Sequence, residues 1–274
     1  MNARLEAAIQ PFVLAATSNG VCTLTLNRGE RFNPLSLDML AALDAALDTI
    51  ANDTGVRVVV LAAAGKAFCA GHDLKEMRAH IDGDWQRRLF DACSQTMLKL
   101  TRLPQPVIAR VHGTAAAAGC QLVSMCDLAV AADTAKFGLS GINAGIFCST
   151  PAVGVARNVS RKRAMELLLT GELIDAATAL DWGLVNRVVP PTEIDVTVQQ
   201  LANGIAAKSP AVVALGKRAF YEQIEQGLTS AYAFTGDTMA CNMLEPDATE
   251  GIDAFLGKRP PSWTFTGNAE PSRK

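Results

Sequence analysis

The run V-I-A-R-V-H-G-T-A-A-A-A-G-C-Q-L-V-S-M-C-D-L-A-V spans Val107 to Val130. It opens with a β-rich stretch, Val107 to Val111, introduced by Pro104 and Pro106. The chain then passes through His112-Gly113 into near-featureless positions, Thr114 to Ala118, and Gly119. Leu122 to Met125 follow with helical character, and Asp127 closes the segment. Small residues in such a run let another backbone, or a ligand, come close. A helix that begins near Ala118 leaves its first amide N–H groups without intrahelical partners. Developing negative charge can be held at such a place. Taken alone, the segment is better explained as a tightly packed buried helix whose Ala and Gly serve only close approach.

The 274 residues, 49% hydrophobic and 19% charged, are enough for one large core or two lobes. A net charge of −2 sets out no electrostatic footprint for nucleic acid. No apolar run reaches the ~18 residues of a membrane span. The apolar piece Phe12 to Ala16 is too short for a secretion signal. Seven cysteines are an odd number with no close metal-like pair, Cys120 and Cys126 being the nearest two. They read as reduced, mostly buried thiols of a cytosolic, that is cytoplasmic, protein. His72, His80 and His112 lie far apart and form no zinc pattern, so no metal site is expected.

Either side of the opening segment, strands and helices alternate. Val21 to Asn27 has the period of a strand, and Arg28 to Pro34 is a polar turn. Ser36 caps an amphipathic helix over 37–52, with Leu37, Leu40, Leu47 and Ile50 at helical spacing. Val56 to Ala62 is a buried, Val-rich strand. Gly65 to Leu74 is a loop, and a weaker helix runs from about Trp85 to Leu103. Leu128 to Ala132 and Lys136 to Gly138 read as strands, and Gly141 to Pro151 as a loop. Arg161 to Thr170 is a helix with Ser160 at its N-cap and Gly171 beyond its end. Asp175 to Trp182 is a helix, and Val185 to Val189 a strand. Helices follow at about 194–207, 211–224, 229–243 and 248–256, punctuated by Pro210, Gly227 and Pro246. The class is α/β with a helical C-terminal portion. No G-x-G-x-x-G joins a strand to a helix and no P-loop occurs, so a Rossmann reading fails.

Four blocks in collinear order carry a family likeness. G-K-A-F-C-A-G-H-D-L, residues 65–74, and the segment 107–130 resemble the two signatures of the crotonase (enoyl-CoA hydratase/isomerase) superfamily. L-N-R-G-E-R-F-N-P-L-S, from Leu26, is similar to the family's early CoA-contacting loop. L-L-L-T-G-E-L-I-D-A-A-T-A-L-D-W-G-L-V-N-R-V-V-P, from Leu167, is similar to its later helix–turn–helix. The likeness covers roughly residues 15 to 261. It implies a spiral of ββα turns with a C-terminal helical trimerisation region: an acyl-CoA-binding core over residues 1–200, oligomerising helices over 201–261, and a flexible tail over 262–274. It also implies a homotrimer or a dimer of trimers that binds acyl-CoA thioesters in fatty acid metabolism. Coenzyme A arrives as part of the substrate, and no further cofactor is implied.

In the family two backbone N–H groups grip the thioester oxygen, and by alignment they belong to His72 and Ala118. Two fixed donors stabilise an enolate or tetrahedral oxyanion by about a few kcal/mol. For His72 the amide carries this role, and the ring reads as an exposed loop imidazole. CoA phosphates need cations, and Arg28, Arg31 and Lys75 stand in the two matched loops. Ala70 and Leu74 fit the adenine, and D-A-F-L-G-K-R-P offers Phe255 and Lys258, often from a neighbouring subunit.

The chain departs from the family's hydratases at both catalytic glutamates. Gln121 stands at the first, three residues after the second amide, and Gly141 at the other. Glutamine takes up no proton near neutral pH, so it is no general base, though it can orient a water or bind a carbonyl. Losing such a base typically costs about 10²- to 10⁴-fold in rate. Cys148 reads as a buried small thiol, Asp73 and Asp127 as bracing residues, and His112 as a turn residue. Three readings follow. One is an acyl-CoA enzyme, hydratase (lyase) or isomerase in class, that stabilises a thioester oxyanion. Another is a catalytically silent acyl-CoA binder. The third is a different crotonase reaction, a decarboxylation or a thioester hydrolysis.

Overall fold

The computed structural model describes residues 10–263, and the first strand begins close to the start of that span. β1 (Val13–Ser18) and β2 (Val21–Leu26) form an antiparallel hairpin, with Asn19 and Gly20 both at positive φ in its turn. From β2 onward every neighbour in the six-stranded sheet is parallel. The order β1-β2-β3-β4-β6-β9 uses β3 (Val58–Ala63), β4 (Val107–Val111), β6 (Leu128–Ala132) and β9 (Arg187–Val189). A second sheet, β5-β7-β8, pairs Ala115–Ala116, Lys136–Gly138 and Ile174–Asp175.

Successive turns of chain therefore lay one strand on the large sheet and one on the small sheet. Helices cross between them: α1 (Leu37–Ala51), α2 (Leu74–Ala79), α3 (Gly83–Arg102), α4 (Ala118–Ser124), α5 (Ser149–Asn158), α6 (Arg161–Thr170) and α7 (Ala176–Asp181). This is the spiral of strand–strand–helix turns expected from the likeness.

The strands read as near-continuous apolar runs because both faces of the large sheet are covered. Side chains alternate across a strand. Leu24, Leu26, Val59, Leu61, Ala109 and Ala131 point into the main core with α1 and α3. Val21, Val58, Val60, Ile108 and Val130 point the other way, onto Ile194, Val198 and Ala202 of α8 (Ile194–Ala206). Helix α8 runs unbroken across residue 200 and belongs to the sheet. The break before the last three helices falls at the turn around Ala207 to Ser209. Those helices are α9 (Pro210–Gln223), α10 (Leu228–Met243) and α11 (Pro246–Leu256).

Several expectations stand at the residue level. Ser36 caps α1, accepting from the Met39 N–H, and the buried stripe is Met39, Leu40, Leu43, Leu47 and Ile50. Gly171 ends α6 in the left-handed conformation, while Ser160 at the other end makes no side-chain cap bond. Helices α2 and α5 begin within the stretches expected to be loops, at Leu74 and at Ser149 to Pro151, and continue through residues for which no element was expected. Asp73 and Asp82 supply the caps for α2 and α3. The flexible tail expected over 262–274 lies outside the described residues beyond Trp263. Six cysteines are buried and Cys241 is exposed, all of them free thiols.

Candidate functional site

The loop after β2 is locked to the loop after β3 by one buried side chain. Asn33, at φ 50° and wholly buried, accepts the Arg28 N–H at 2.9 Å. It donates to the carbonyls of Ala64, Ala67 and Phe68 at 2.8, 3.1 and 3.2 Å. The backbones of Gly29 and Gly65 touch, and a Cβ on Gly29 would lie 2.7 Å from the Ala64 carbonyl. The Ala70 N–H reaches the Phe32 carbonyl at 3.0 Å, and the Leu35 N–H reaches Gly71 at 2.8 Å.

The same second loop is locked to the Thr114–Gly119 stretch. Cys69 pairs with Ala115, and the Ala116 N–H donates to the Cys69 carbonyl at 2.9 Å. Gly119 lies so close under that carbonyl that no Cβ fits. Gly71 has φ +98°, and a Cβ there would stand 3.3 Å from the Ala118 nitrogen. His72 is the next residue. Ala117, just before Ala118, takes φ 49° and ψ −118° while its own N–H is tied to the Gly138 carbonyl at 2.8 Å. A residue with a Cβ in that region carries of order 1–3 kcal/mol of strain, which the surroundings must over-determine. Among the described residues, the N–H groups of His72 and Ala118 donate to no protein group. Two adjoining segments, joined by main-chain bonds, thus carry two uncommitted donors.

Gln121 and the buried cysteines of these elements are neutral. Gln121 on α4 is buried, and the Cys93 thiol of α3 lies 4.0 Å from its Oε1. Its amide nitrogen donates to nothing among the described residues. Burial pushes the thiols of Cys69, Cys93 and Cys120 up to about 12, and that of Cys148 upward too. All four are protonated at neutral pH, which agrees with Cys148 as an inert thiol. A Cβ on Gly141 would meet the Ile146 carbonyl at 2.6 Å and the Cys148 sulfur at 2.7 Å. No side chain fits there without moving the 3-10 turn Ser140–Ala144.

The His72 ring corrects the expectation of an exposed imidazole. It is partly buried, edge-on to Phe90 with centroids 5.4 Å apart, and Nδ1 lies 3.0 Å from the Leu35 carbonyl. Burial lowers its pKa. Its burial depends on Phe90, which only the fold brings near. Asp73 braces as expected, accepting from the N–H groups of Lys75 and Glu76 and from Arg31 at 2.6 Å. His112 holds its turn through the Gly65 carbonyl at 2.9 Å.

The profile of the enoyl-CoA hydratase/isomerase family matches residues 16–266. The chain belongs to that family. Among its relatives is the human "enoyl-CoA hydratase domain-containing protein 3, mitochondrial". It is 44% identical over 246 residues, which are 90% of this chain and 81% of that one. Its Xenopus laevis counterpart is 42% identical over 93% of this chain and 87% of its own. The crystal structure of an enoyl-CoA hydratase from Mycobacterium smegmatis superposes with a TM-score of 0.91 at 57% identity. That match covers 93% of this chain and 99% of the other. The crystal structure of the human domain-containing protein 3 gives 0.90 at 43% identity, covering 93% and 100%. The crotonase fold is therefore the fold of this chain.

These relatives overturn the expected cytosolic placement, because the human and Xenopus proteins are named as mitochondrial. Cysteine usage reports redox conditions, and reducing conditions are not confined to one compartment.

The residues matched to the family's CoA contacts divide into two groups. Arg31, Ala70, Leu74 and Lys75 gather on the locked loops, with Ala70, Leu74 and Lys75 exposed and Arg31 reaching Asp73. Arg28 is in the same loops, but its guanidinium donates to the carbonyls of Gln10, Pro11 and Asn27 and lies over the Phe12 ring. Phe255 and Lys258 stand apart at the end of α11, Phe255 exposed and Lys258 at φ 52°. Within one chain α11 packs on α9 and α10. A cleft of about 780 Å³ opens there, lined by Val212, Gly216, Met243, Ile252, Phe255 and Trp263, away from the two amides.

Proposed function

We propose that this chain binds acyl-CoA thioesters and holds charge developing on the thioester oxygen between the N–H groups of His72 and Ala118. The observation that carries this is the pair of uncommitted amides on segments bonded to each other through Cys69, Ala115 and Ala116. Two such donors act where charge appears in the transition state and need no reorganisation. Family membership supports an acyl-CoA substrate. The site uses main-chain donors with neutral side chains, and the two carboxylates that the family's hydratases are expected to use are replaced by Gln121 and Gly141. Hydration of an enoyl-CoA through the usual carboxylate pair is accordingly slow, about 10²- to 10⁴-fold below an enzyme with its general base. We further propose that Arg31 and Lys75 meet the CoA phosphates, and that Phe255 and Lys258 reach a neighbouring subunit's CoA within a trimer or a pair of trimers.

The oxygen grip can be tested by titration calorimetry with butyryl-CoA and with S-butyl-CoA, a thioether that lacks the carbonyl oxygen. Two hydrogen bonds of about 1 kcal/mol each predict that butyryl-CoA binds tighter by roughly tenfold or more. Equal affinities would remove the oxyanion reading, and no binding of either would remove the acyl-CoA reading. Following crotonyl-CoA by loss of enoyl absorbance should show slow turnover in the wild type and faster turnover in Gln121→Glu. The analogous change at Gly141 is blocked by the Ile146 carbonyl.

A further inference from the structure

Resting on the acyl-CoA reading above, we propose that this site selects thioesters with a keto oxygen on the β-carbon, the 3-oxoacyl-CoAs, and that the side-chain amide of Gln121 is the donor that recognises that oxygen. Gln121 stands one turn of α4 beyond Ala118, and its own N–H closes the turn onto the Ala117 carbonyl at 3.1 Å. Residues three apart on a helix share a face, with Cβ atoms about 5–6 Å apart. Helical side chains lean toward the N-terminus, so Gln121 leans over the turn that bears the Ala118 N–H. A second link runs through Cys93. Its thiol meets the Gln121 Oε1, and it bears electrostatically on the thiol of Cys69, in the loop that leads into His72. Gln121 is therefore held beside both segments that carry the uncommitted amides.

The amide is also oriented. Burial keeps the Cys93 proton on its sulfur, so the thiol donates and Oε1 accepts, at 4.0 Å. Turned the other way, the amide would set its N–H groups against sulfur, a weak acceptor. Nε2 thus faces away from Cys93 with no protein acceptor among the described residues. Nor is that atom enclosed. Among the described residues, the enclosed side-chain nitrogens and oxygens without a partner are Arg57 Nε, His72 Nε2, Gln105 Oε1 and His112 Nδ1. Gln121 is 4% exposed, and Nε2 belongs to that open part. One more donor therefore reaches the space at the head of α4.

Chemistry sets the acceptor. An oxygen on the β-carbon stands two carbons on from the thioester carbon, a separation on the scale of one helical turn. Nε2 only donates, and a keto oxygen only accepts. A β-hydroxyl brings a proton that needs an acceptor of its own, and Oε1 is already engaged by Cys93. A saturated chain leaves Nε2 desolvated and unmatched, which is the costly case. A carboxylate in the same place, as in malonyl-CoA, brings a charge that neither Gln121 nor the protonated thiols offset.

The test is titration calorimetry with butyryl-CoA, 3-oxobutyryl-CoA and malonyl-CoA, on the wild type and on Gln121→Met. Methionine keeps the unbranched shape and removes both donors. The wild type should bind 3-oxobutyryl-CoA about tenfold tighter than butyryl-CoA, and Gln121→Met should bind those two within about twofold of each other. Equal affinities in the wild type, a preference that survives in Gln121→Met, or malonyl-CoA bound as tightly as 3-oxobutyryl-CoA overturns the assignment while leaving the acyl-CoA site standing. If no thioester binds, the acyl-CoA reading falls with it. Should Gln121→Met fail to fold, proton–nitrogen NMR of the Gln121 side-chain amide in the wild type decides. A resonance that moves further with 3-oxobutyryl-CoA than with butyryl-CoA supports the proposal, and an equal shift or none overturns it.

Discussion

Ala117 shows at one residue how this site is built, because its backbone is bent into a region that suits glycine and held there by the Gly138 carbonyl. The neighbouring glycines leave the Cys69 loop room to approach. Gly119→Ala sets a methyl group against the Cys69 carbonyl, with no flexible side chain to yield. Overpacking of this kind costs about 1–3 kcal/mol, so the urea midpoint of that variant should fall with little change in slope. Two histidines contribute to stability on the acid side. Burial lowers the pKa of both His72 and His112 in the folded chain. Below pH ~6.5 these two imidazoles then bind more protons in the unfolded chain than in the folded one. Their contribution is complete above about pH 6.5 and is lost as pH falls toward the lowered folded values. Melting temperature should drop from pH 7 to 5, and His72→Gln should flatten the drop. Each group contributes at most about 1.4 kcal/mol per pH unit. The bracing role of Asp73 was legible in its loop, though only the structure shows that it caps α2. The buried His72 ring was not, since Phe90 lies eighteen positions further along the chain.

At the scale of elements, the joint between α9 and the sheet is electrostatic. Lys217 donates from Nζ to Asp127 at 2.6 Å and to the carbonyls of Leu100 and Gln105 at 2.8 and 3.0 Å. Asp127 also accepts from the Tyr221 hydroxyl at 2.9 Å and the Val107 N–H at 2.6 Å. Burial pulls the Lys217 pKa down while the adjacent carboxylate holds it up. Removing one partner of a buried pair strands the other, at about 3–5 kcal/mol. Lys217→Ala should therefore lose stability on that scale, with faster amide hydrogen exchange in α9 than in β3. Replacing both residues, as Lys217→Met with Asp127→Leu, should recover much of the loss. Long periodic elements such as α1 and β3 could be read from the chain because burial pattern and propensity agree. The two-residue strand β5 could not, because Ala115 and Ala116 become a strand only by pairing with Phe137 and Gly138. Helix α5 was equally hidden, as its Ser, Thr, Pro and Gly residues favour a loop until Gly154 packs beneath Ser124 and Met125.

On the scale of the whole molecule, the last three helices leave large apolar side chains in the open. Leu228, Tyr232, Leu244, Phe255 and Leu256 are all more than 70% exposed. Apolar surface gathered on one part of a chain marks an interaction surface. We expect sedimentation to give three or six times the chain mass, and Leu244→Asp with Leu256→Asp to lower it. Retention of the full assembly by that double variant would place the contacts elsewhere.

By itself the residue pattern determined the α/β class with its helical C-terminal portion and the absence of titrating carboxylates at positions 121 and 141, while the crotonase spiral and the meeting of the two loops were what the family resemblance implied. The class follows from side-chain period and turn residues, which are local. Only the tertiary structure decided that Gly141 has no room for a side chain, that Arg28 is tied to the carbonyls near Phe12, and that the His72 ring is buried with one nitrogen unmatched. Each of these depends on atoms far along the chain, and neither spacing nor composition carries the distance between them.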